Sequence, residues 1–245
     1  MLTRFRNREE AGRALARLLE PLAKERPVVV AIPRGGLPVA DEVARELGAP
    51  LDVVIVRKLG APDQPELAVG AIAEGGAVYL DAGAISVLEI PREELASIAD
   101  REGAELARRV QLYRASCPPL DLQGRTVVLV DDGVARGASA RAAIRALRQR
   151  RPGRLVLAVP VIAPDTEREL RDEVDELVAV AVPYHFGAVG YFYEDFRQVS
   201  DAQVLALLAR ARGDRQERLT PDAAAALGRD PEPFDPPGSA QGNPP

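Results

Sequence analysis

Two adjacent acids stand at the end of an apolar run, and a glycine-bearing turn follows them. The stretch from Arg125 to Arg141 reads RTVVLVDDGVARGASAR. Val127 to Val130 suit a buried strand, whose carboxyl edge then carries Asp131 and Asp132. The turn Gly133, Val134, Ala135, Arg136, Gly137, Ala138 and Ser139 opens a helix, so backbone N–H groups and a helix N-terminus are aimed at one point, as a phosphate requires. Adjacent carboxylates suit a vicinal diol, because each ribose hydroxyl donates to a carboxylate oxygen. Acids beside a phosphate nest describe a sugar phosphate held at both ends. A capped turn whose aspartates only accept from helix N–H groups fits the same pattern.

Pro33, Arg34, Gly35 and Gly36 follow an earlier apolar run. Two glycines let the backbone approach a diphosphate closely and Arg34 supplies positive charge, although Pro-Gly turns after strands are also common. Arg57 and Lys58 are expected to end the next strand. Only Lys24 and Lys58 among the 32 basic residues are lysine, so Lys58 hints at a specific use for a compact ammonium, with a snorkelling surface cation as the alternative. Tyr184, Phe186, Tyr191, Phe192, Tyr193 and Phe196 hold six of the ten aromatic residues. Tyr184 and Phe186 are candidates to stack an acceptor ring, and core packing explains the cluster equally. The single histidine, His185, reads as packed or solvated, since no Gly-x-Ser-x-Gly elbow accompanies it.

These groups need a scaffold. Apolar, β-branched runs at Val28 to Ile32, Asp52 to Val56, Thr126 to Val130, Leu155 to Pro160 and Leu177 to Val182 alternate with helical patterns. Short continuous runs of this kind suit a parallel sheet buried on both faces. The expected class is α/β, a mostly parallel central sheet flanked by helices. Asn7 with Glu10 and Ser200 with Gln203 mark helix starts, and Leu37, Ala40, Val43, Ala44 and Leu47 form one face before Gly48. Leu95, Ile98, Leu106, Val110 and Tyr113 give a long amphipathic helix after Pro91. The segment from Arg57 to Gly76, with two prolines and four glycines, reads as a long mobile loop. One domain is expected over 1–211, with a small C-terminal hood at 183–199. A third of the 21 prolines fall after Leu219, so 212–245 reads as a disordered tail.

Composition narrows the chemistry. At 245 residues, 47% hydrophobic and 28% charged, the chain supports one core. One cysteine and one histidine exclude an internal disulfide and disfavour a zinc site built from several such ligands, leaving oxygen-ligated Mg²⁺ open. A net charge of -5 with mixed signs disfavours nucleic acid as partner. No apolar stretch suits a membrane span or a signal peptide, so the cytoplasm is the expected compartment.

VVLVDDGVARGAS resembles the ribose-phosphate signature of the type I phosphoribosyltransferases, which use phosphoribosyl pyrophosphate (PRPP). IPRGGLPVADEVARELG, RKLGAP and PYHFGAVGYFYEDFRQVSD extend the likeness to small bacterial members without an assigned acceptor, over roughly residues 1–211. The resemblance implies that Asp131 and Asp132 hold the ribose hydroxyls, that 133–139 takes the 5′-phosphate, and that the loop at Arg34 takes pyrophosphate. It implies Mg²⁺ carried by pyrophosphate, reaching Asp131 or Asp132 through water, and a nitrogen nucleophile of a base as acceptor. Arg136-Gly137-Ala138-Ser139 departs from the usual Thr-Gly-x-Thr. An arginine there suits a bidentate clamp or crowds the nest. Likeness to the adenine enzymes' lid gives Glu74 a place near the leaving base, as proton donor or acceptor. Ala135 stands where the 6-oxopurine enzymes carry an aspartate. A rival reading keeps the fold as a PRPP- or nucleotide-sensing protein without turnover. The acceptor and the oligomeric state are not fixed by the sequence.

Overall fold

The computed structural model of the chain describes residues 4–62, 64–115 and 117–213. The expected tail lies outside these residues from 214 onward.

Five strands form a parallel sheet in the order β2-β1-β6-β7-β8. They are β1 (Val28–Ala31), β2 (Leu51–Val53), β6 (Thr126–Val130), β7 (Arg154–Val161) and β8 (Glu176–Ala181). All four residues of β1 and the last four of β6 are buried, as a sheet covered on both faces demands. Successive side chains alternate between two apolar layers. Val28, Val30, Val127 and Leu129 face α5 (Ala138–Gln149) and α6 (Pro164–Arg171). Val29, Ala31, Val128 and Val130 face α1 (Arg8–Leu19), α2 (Gly36–Glu46) and a final helix, α7, over 201–213.

The helix starts follow their side chains. Asn7 accepts from the Glu10 N–H at 2.9 Å, while the Glu10 carboxylate reaches one residue past Asn7, to the Arg6 N–H. Ser200 and Gln203 accept from each other's backbone N–H at the start of α7. That helix runs two residues beyond the boundary expected at 211.

The stretch from Arg57 to Gly76 is no long loop. It forms β3 (Val56–Ala61) and β4 (Gln64–Ala73), two residues apart in sequence and continued by β5 (Val78–Leu80) into a three-stranded antiparallel sheet. Its small Ala and Gly residues lack the β-branched signature, and pairing supplies what propensity does not. Arg57 and Lys58 therefore begin β3 rather than ending β2. After α3 (Ala82–Val87), the 23-residue α4 (Arg92–Arg114) packs on β3 and β4 and returns the chain to the parallel sheet.

The topology fixes where a ligand fits. From the adjacent strands β1 and β6, the chain leaves to opposite faces, into α2 on one side and α5 on the other. The loops diverge and leave a crevice at the carboxyl ends of the two strands. No helix among the described residues is long and apolar enough to cross a membrane.

Candidate functional site

A cleft of about 520 Å³ opens at that divergence. From β1 come Pro33, Arg34 and Gly35, and from β6 come Asp131, Asp132 and all of 133–139. Lys58 reaches it from β3 and Glu66 from β4. Val189, Phe196, Gln198 and Val199 close it from the segment after β8, and Arg8 closes it from α1.

The two acids are held differently. The Asp131 carboxylate accepts from the Asp132 N–H at 2.8 Å. Burial, reinforced by the neighbouring Asp132 charge, pushes Asp131 well above the usual carboxylate range. Burial raises Asp132 too, against the opposing pull of Arg8 and Lys58. Arg8 Nε donates to Asp132 Oδ2 at 2.8 Å, and the Tyr193 hydroxyl donates to the Asp132 carbonyl at 2.6 Å.

The turn after Asp132 faces its carbonyls elsewhere. Val134 O accepts from Ala163 N–H, Ala135 O from the Thr166 hydroxyl at 2.5 Å, and Arg136 O from Arg141 Nη1 at 3.0 Å. Gly137, with φ +77°, turns the chain into α5, whose first N–H groups have no intrahelical partner. A turn whose carbonyls are engaged elsewhere, leading into a helix N-terminus, has the chemistry to receive an anion. The Arg136 side chain is exposed at the rim, and Ser139 sits in the first turn of α5.

Arg34 lies 3.5 Å from Asp201 at the start of α7. Asp201 also accepts from the Tyr113 hydroxyl at 2.5 Å and from Arg108 at 3.4 Å. The Tyr113 hydrogen bond lowers the Asp201 carboxyl, so a lasting negative charge stands behind Arg34.

Five expected site residues do not line the cleft. Glu74 is tied to Arg114, which is shared with the wholly buried Asp52. The end of β4 thus points Glu74 toward α4. Arg57 pairs with Glu102 of α4 at 2.6 Å, because neighbours on a strand face opposite sides and Lys58 has the cleft side. Tyr184 is 89% exposed, with the His185 ring edge-on to its own. Phe186 packs on Phe192 in a small cluster with Phe5. Gly36 does not line the cleft but lets α2 begin against the Asp131 backbone, where a Cβ would meet its Cα at 2.8 Å.

Arg8, Glu66, Gln198 and Val199 were not singled out in the sequence, and Tyr193 and Phe196 only as members of the aromatic cluster. Arg8 meets Asp132 across 124 positions of sequence and belongs to no motif. The aromatic cluster was the signal for Tyr193 and Phe196, and the members singled out from it, Tyr184 and Phe186, lie elsewhere.

The family model of the phosphoribosyl transferase domain matches residues 4–193. The chain is 43% identical over 221 residues to the protein named "Putative phosphoribosyl transferase Rv0571c" of Mycobacterium tuberculosis (strain ATCC 25618 / H37Rv), covering 90% of this chain and 50% of that one. It therefore spans about half the length of that relative. Over 109 residues it is 32% identical to the Bifunctional protein PyrR 1 of Lactiplantibacillus plantarum, covering 40% of this chain and 60% of the other. Among solved structures it is similar to TT1426 from Thermus thermophilus, with 48% identity, a TM-score of 0.71, and coverage of 84% of this chain and 98% of that one. The acid pair, the turn into α5 and the loop after β1 all fall within the matched span, and the chain belongs to the phosphoribosyl transferase domain family.

Proposed function

We propose that the protein transfers the 5-phosphoribosyl group of PRPP to a ring nitrogen of a nucleobase and releases pyrophosphate. One observation carries the reading: an acid pair, an anion-binding helix start, and a loop with Arg34 and Lys58 nearby line a single cleft. Three sites of matching charge answer the three parts of PRPP. The turn 133–139 takes the 5′-phosphate, Asp131 and Asp132 accept from the ribose hydroxyls, and Arg34, Gly35 and Lys58 face the diphosphate.

In the reaction the C1–oxygen bond breaks, pyrophosphate leaves with the electron pair, and the acceptor nitrogen bonds to C1. Positive charge grows on the ribose while negative charge grows on the leaving group. Fixed carboxylates beside the first and fixed cations beside the second favour that separation over the ground state. The cleft's remaining carboxylate, Glu66 on the β3–β4 hairpin, is positioned to take the nitrogen's proton. Residues of the hairpin and of 189–199 both line the cleft and would reduce water access to the reacting carbon once substrate fills it.

Mg²⁺ suits this donor set. Among the described residues no three acids, histidines or cysteines cluster to hold a metal. Mg²⁺ is commonly bound by one or two carboxylates together with substrate phosphates. Asp131 and Asp132 are the residues that would meet it, and its chemistry would be neutralisation of the leaving diphosphate.

The test is pyrophosphate release from PRPP and Mg²⁺ across a panel of purines, pyrimidines and other nitrogen heterocycles. Release with one class of acceptor supports the transfer. Thermal stabilisation by PRPP with no release from any acceptor replaces it with a sensing role on the same site.

A further inference from the structure

Arg34 lies on the loop after β1 and brings to the cleft the guanidinium that faces the diphosphate in the proposed reaction. A long side chain loses rotamer freedom when a ligand fixes it, so a cation already held in place binds that ligand more tightly than one ordered at the moment of binding. What holds Arg34 comes from two helices behind the cleft. Its Nη1 lies 3.5 Å from Oδ1 of Asp201, the first residue of α7, and the two side chains are 23% and 29% exposed. Among the described residues, Asp201 is the acid within ion-pairing distance of Arg34.

Asp201 is itself fixed without help from Arg34. The hydroxyl of Tyr113, a fully buried residue of α4, donates to Oδ1 at 2.5 Å. Arg108 of the same helix donates from Nη2 to Oδ2 at 3.4 Å. None of Asp201, Tyr113 and Arg108 lines the cleft, so any effect they have on a ligand there passes through Arg34. The distances decide between two uses of the acid. A competitor of the diphosphate would grip Arg34 as its tightest partner and have to release it on binding. Here the contact to Arg34 is the longest of the three, and the carboxylate is a fixed post behind the guanidinium. A guanidinium carries five N–H donors, so engagement at Nη1 leaves Nε and Nη2 for phosphate oxygens.

We propose that Asp201 is a positioning residue for Arg34, held in place by Tyr113, so that α4 and α7 together preset the cation that meets the diphosphate. The proposal rests on the reading of the loop after β1 as the diphosphate site. It has a consequence that a merely structural ion pair lacks. PRPP divides into a diphosphate half and a ribose 5-phosphate half, and loss of Asp201 weakens binding of the first alone. The charge effect by itself runs the other way, since removal of an acid draws both anions closer.

The experiment is calorimetry on the full chain with Mg²⁺, at one pH and one salt concentration. The probes are PRPP, pyrophosphate and ribose 5-phosphate, against wild type, D201A, Y113F, R34Q and R34Q/D201A. D201A is expected to weaken PRPP and pyrophosphate by roughly three- to tenfold and to leave ribose 5-phosphate within about twofold of wild type. Y113F is expected to show the same split to a smaller extent, although its ring stays outside the cleft. In the R34Q background, D201A is expected to add nothing. Equal losses for the two halves, unchanged or tighter pyrophosphate binding in D201A, or a D201A effect undiminished in R34Q overturns the proposal. Y113F that binds pyrophosphate as wild type does overturns the part given to Tyr113. Should D201A fail to fold, D201N decides by the same split. Wild type that binds no PRPP, or R34Q that binds pyrophosphate as wild type does, overturns instead the reading of the loop as the diphosphate site.

Discussion

The Oδ2 atom of Asp132 lies over the backbone of Gly35, 2.1 Å from the point where a Cβ would stand. The second acid of one strand end and the first glycine of the neighbouring loop thus occupy one contact, where no side chain fits. Asp132 cannot simply retreat, since Arg8 holds the same oxygen. Gly35→Ala is expected to displace the carboxylate and lower PRPP affinity at least about tenfold. Overpacking of this kind costs about 1–3 kcal/mol of stability, so the fold should survive. Calorimetry beside a melting curve checks both halves, and unchanged PRPP affinity would show that the Asp132 position is dispensable.

Asp131 gives a prediction in which stability and binding part company. Its carboxyl is raised by burial and by Asp132. The native chain therefore binds more protons than the unfolded chain between the ordinary carboxylate range and the raised value. In that window stability falls as pH rises, and the full cost is present above it. Asp131→Asn removes the charge, while the amide oxygen remains able to accept from the Asp132 N–H. The variant should melt higher than wild type at about pH 8, and the gain should shrink toward about pH 5. PRPP binding should be lost at both. A variant no more stable than wild type at the higher pH would contradict the buried-charge account.

The parallel sheet was legible because its strands are short, continuous apolar runs separated by helical patterns, as a sheet covered on both faces requires. Thr126 to Val130 is a strand with those same ends. The acid pair and the turn after it were legible because strand end, glycines and helix start are consecutive in sequence. The β3–β4 hairpin was hidden by prolines and small residues that mimic a loop. Glu74 and Arg57 were misplaced for a different reason: which face a strand residue takes depends on where the strand begins, and β3 begins at Val56 rather than continuing β2. Arg8 carried no local signal at all, since its role exists only once α1 is laid beside β6.

The salt-bridge network around Asp52 explains why Glu74 is held away from the cleft. Asp52 is wholly buried and accepts from Arg114 at 2.6 Å and from the Val53 and Leu120 N–H groups. Arg114 also donates to the Val53 carbonyl at 2.6 Å and binds Glu74. Arg114→Met leaves the buried carboxylate with Arg150, 3.7 Å away, as its remaining counter-charge and should cost up to about 3–5 kcal/mol. In a domain of this size that is a fall of roughly 6–20 °C in melting temperature. A fall of only a degree or two would mean that the network is not holding α4 to the sheet.

Glu66 and Glu74 then separate chemistry from scaffold. Glu66 lines the cleft, whereas Glu74 completes the Arg114 network. Glu66→Gln should slow pyrophosphate release with PRPP affinity kept, a loss of roughly 10²-fold if it acts as a general base. Glu74→Gln should leave the rate unchanged and lower stability by about 1 kcal/mol. The reverse pattern would return Glu74 to the reaction and remove Glu66 from it.

Arg136 decides how the departure from the family's phosphate turn works. Its carbonyl is fixed by Arg141, and Arg141 is itself fixed by Glu169 and Glu173, so the backbone of the turn does not depend on the Arg136 side chain. That side chain is exposed at the rim rather than filling the turn. A guanidinium in this place can close over a phosphate already held by the N–H groups below, adding a charge-assisted bond of roughly 1.5–3 kcal/mol. Arg136→Ala should therefore weaken PRPP binding by at least about tenfold, with no change in melting temperature beyond about 0.5 kcal/mol of stability. Arg136→Thr should recover only part of the loss, because a hydroxyl donates one neutral hydrogen bond where the guanidinium gives a charged pair. All three proteins must be compared at one salt concentration, since screening weakens an exposed cation's contribution. Tighter binding in Arg136→Thr than in wild type would mean that the arginine obstructs the phosphate instead of clamping it.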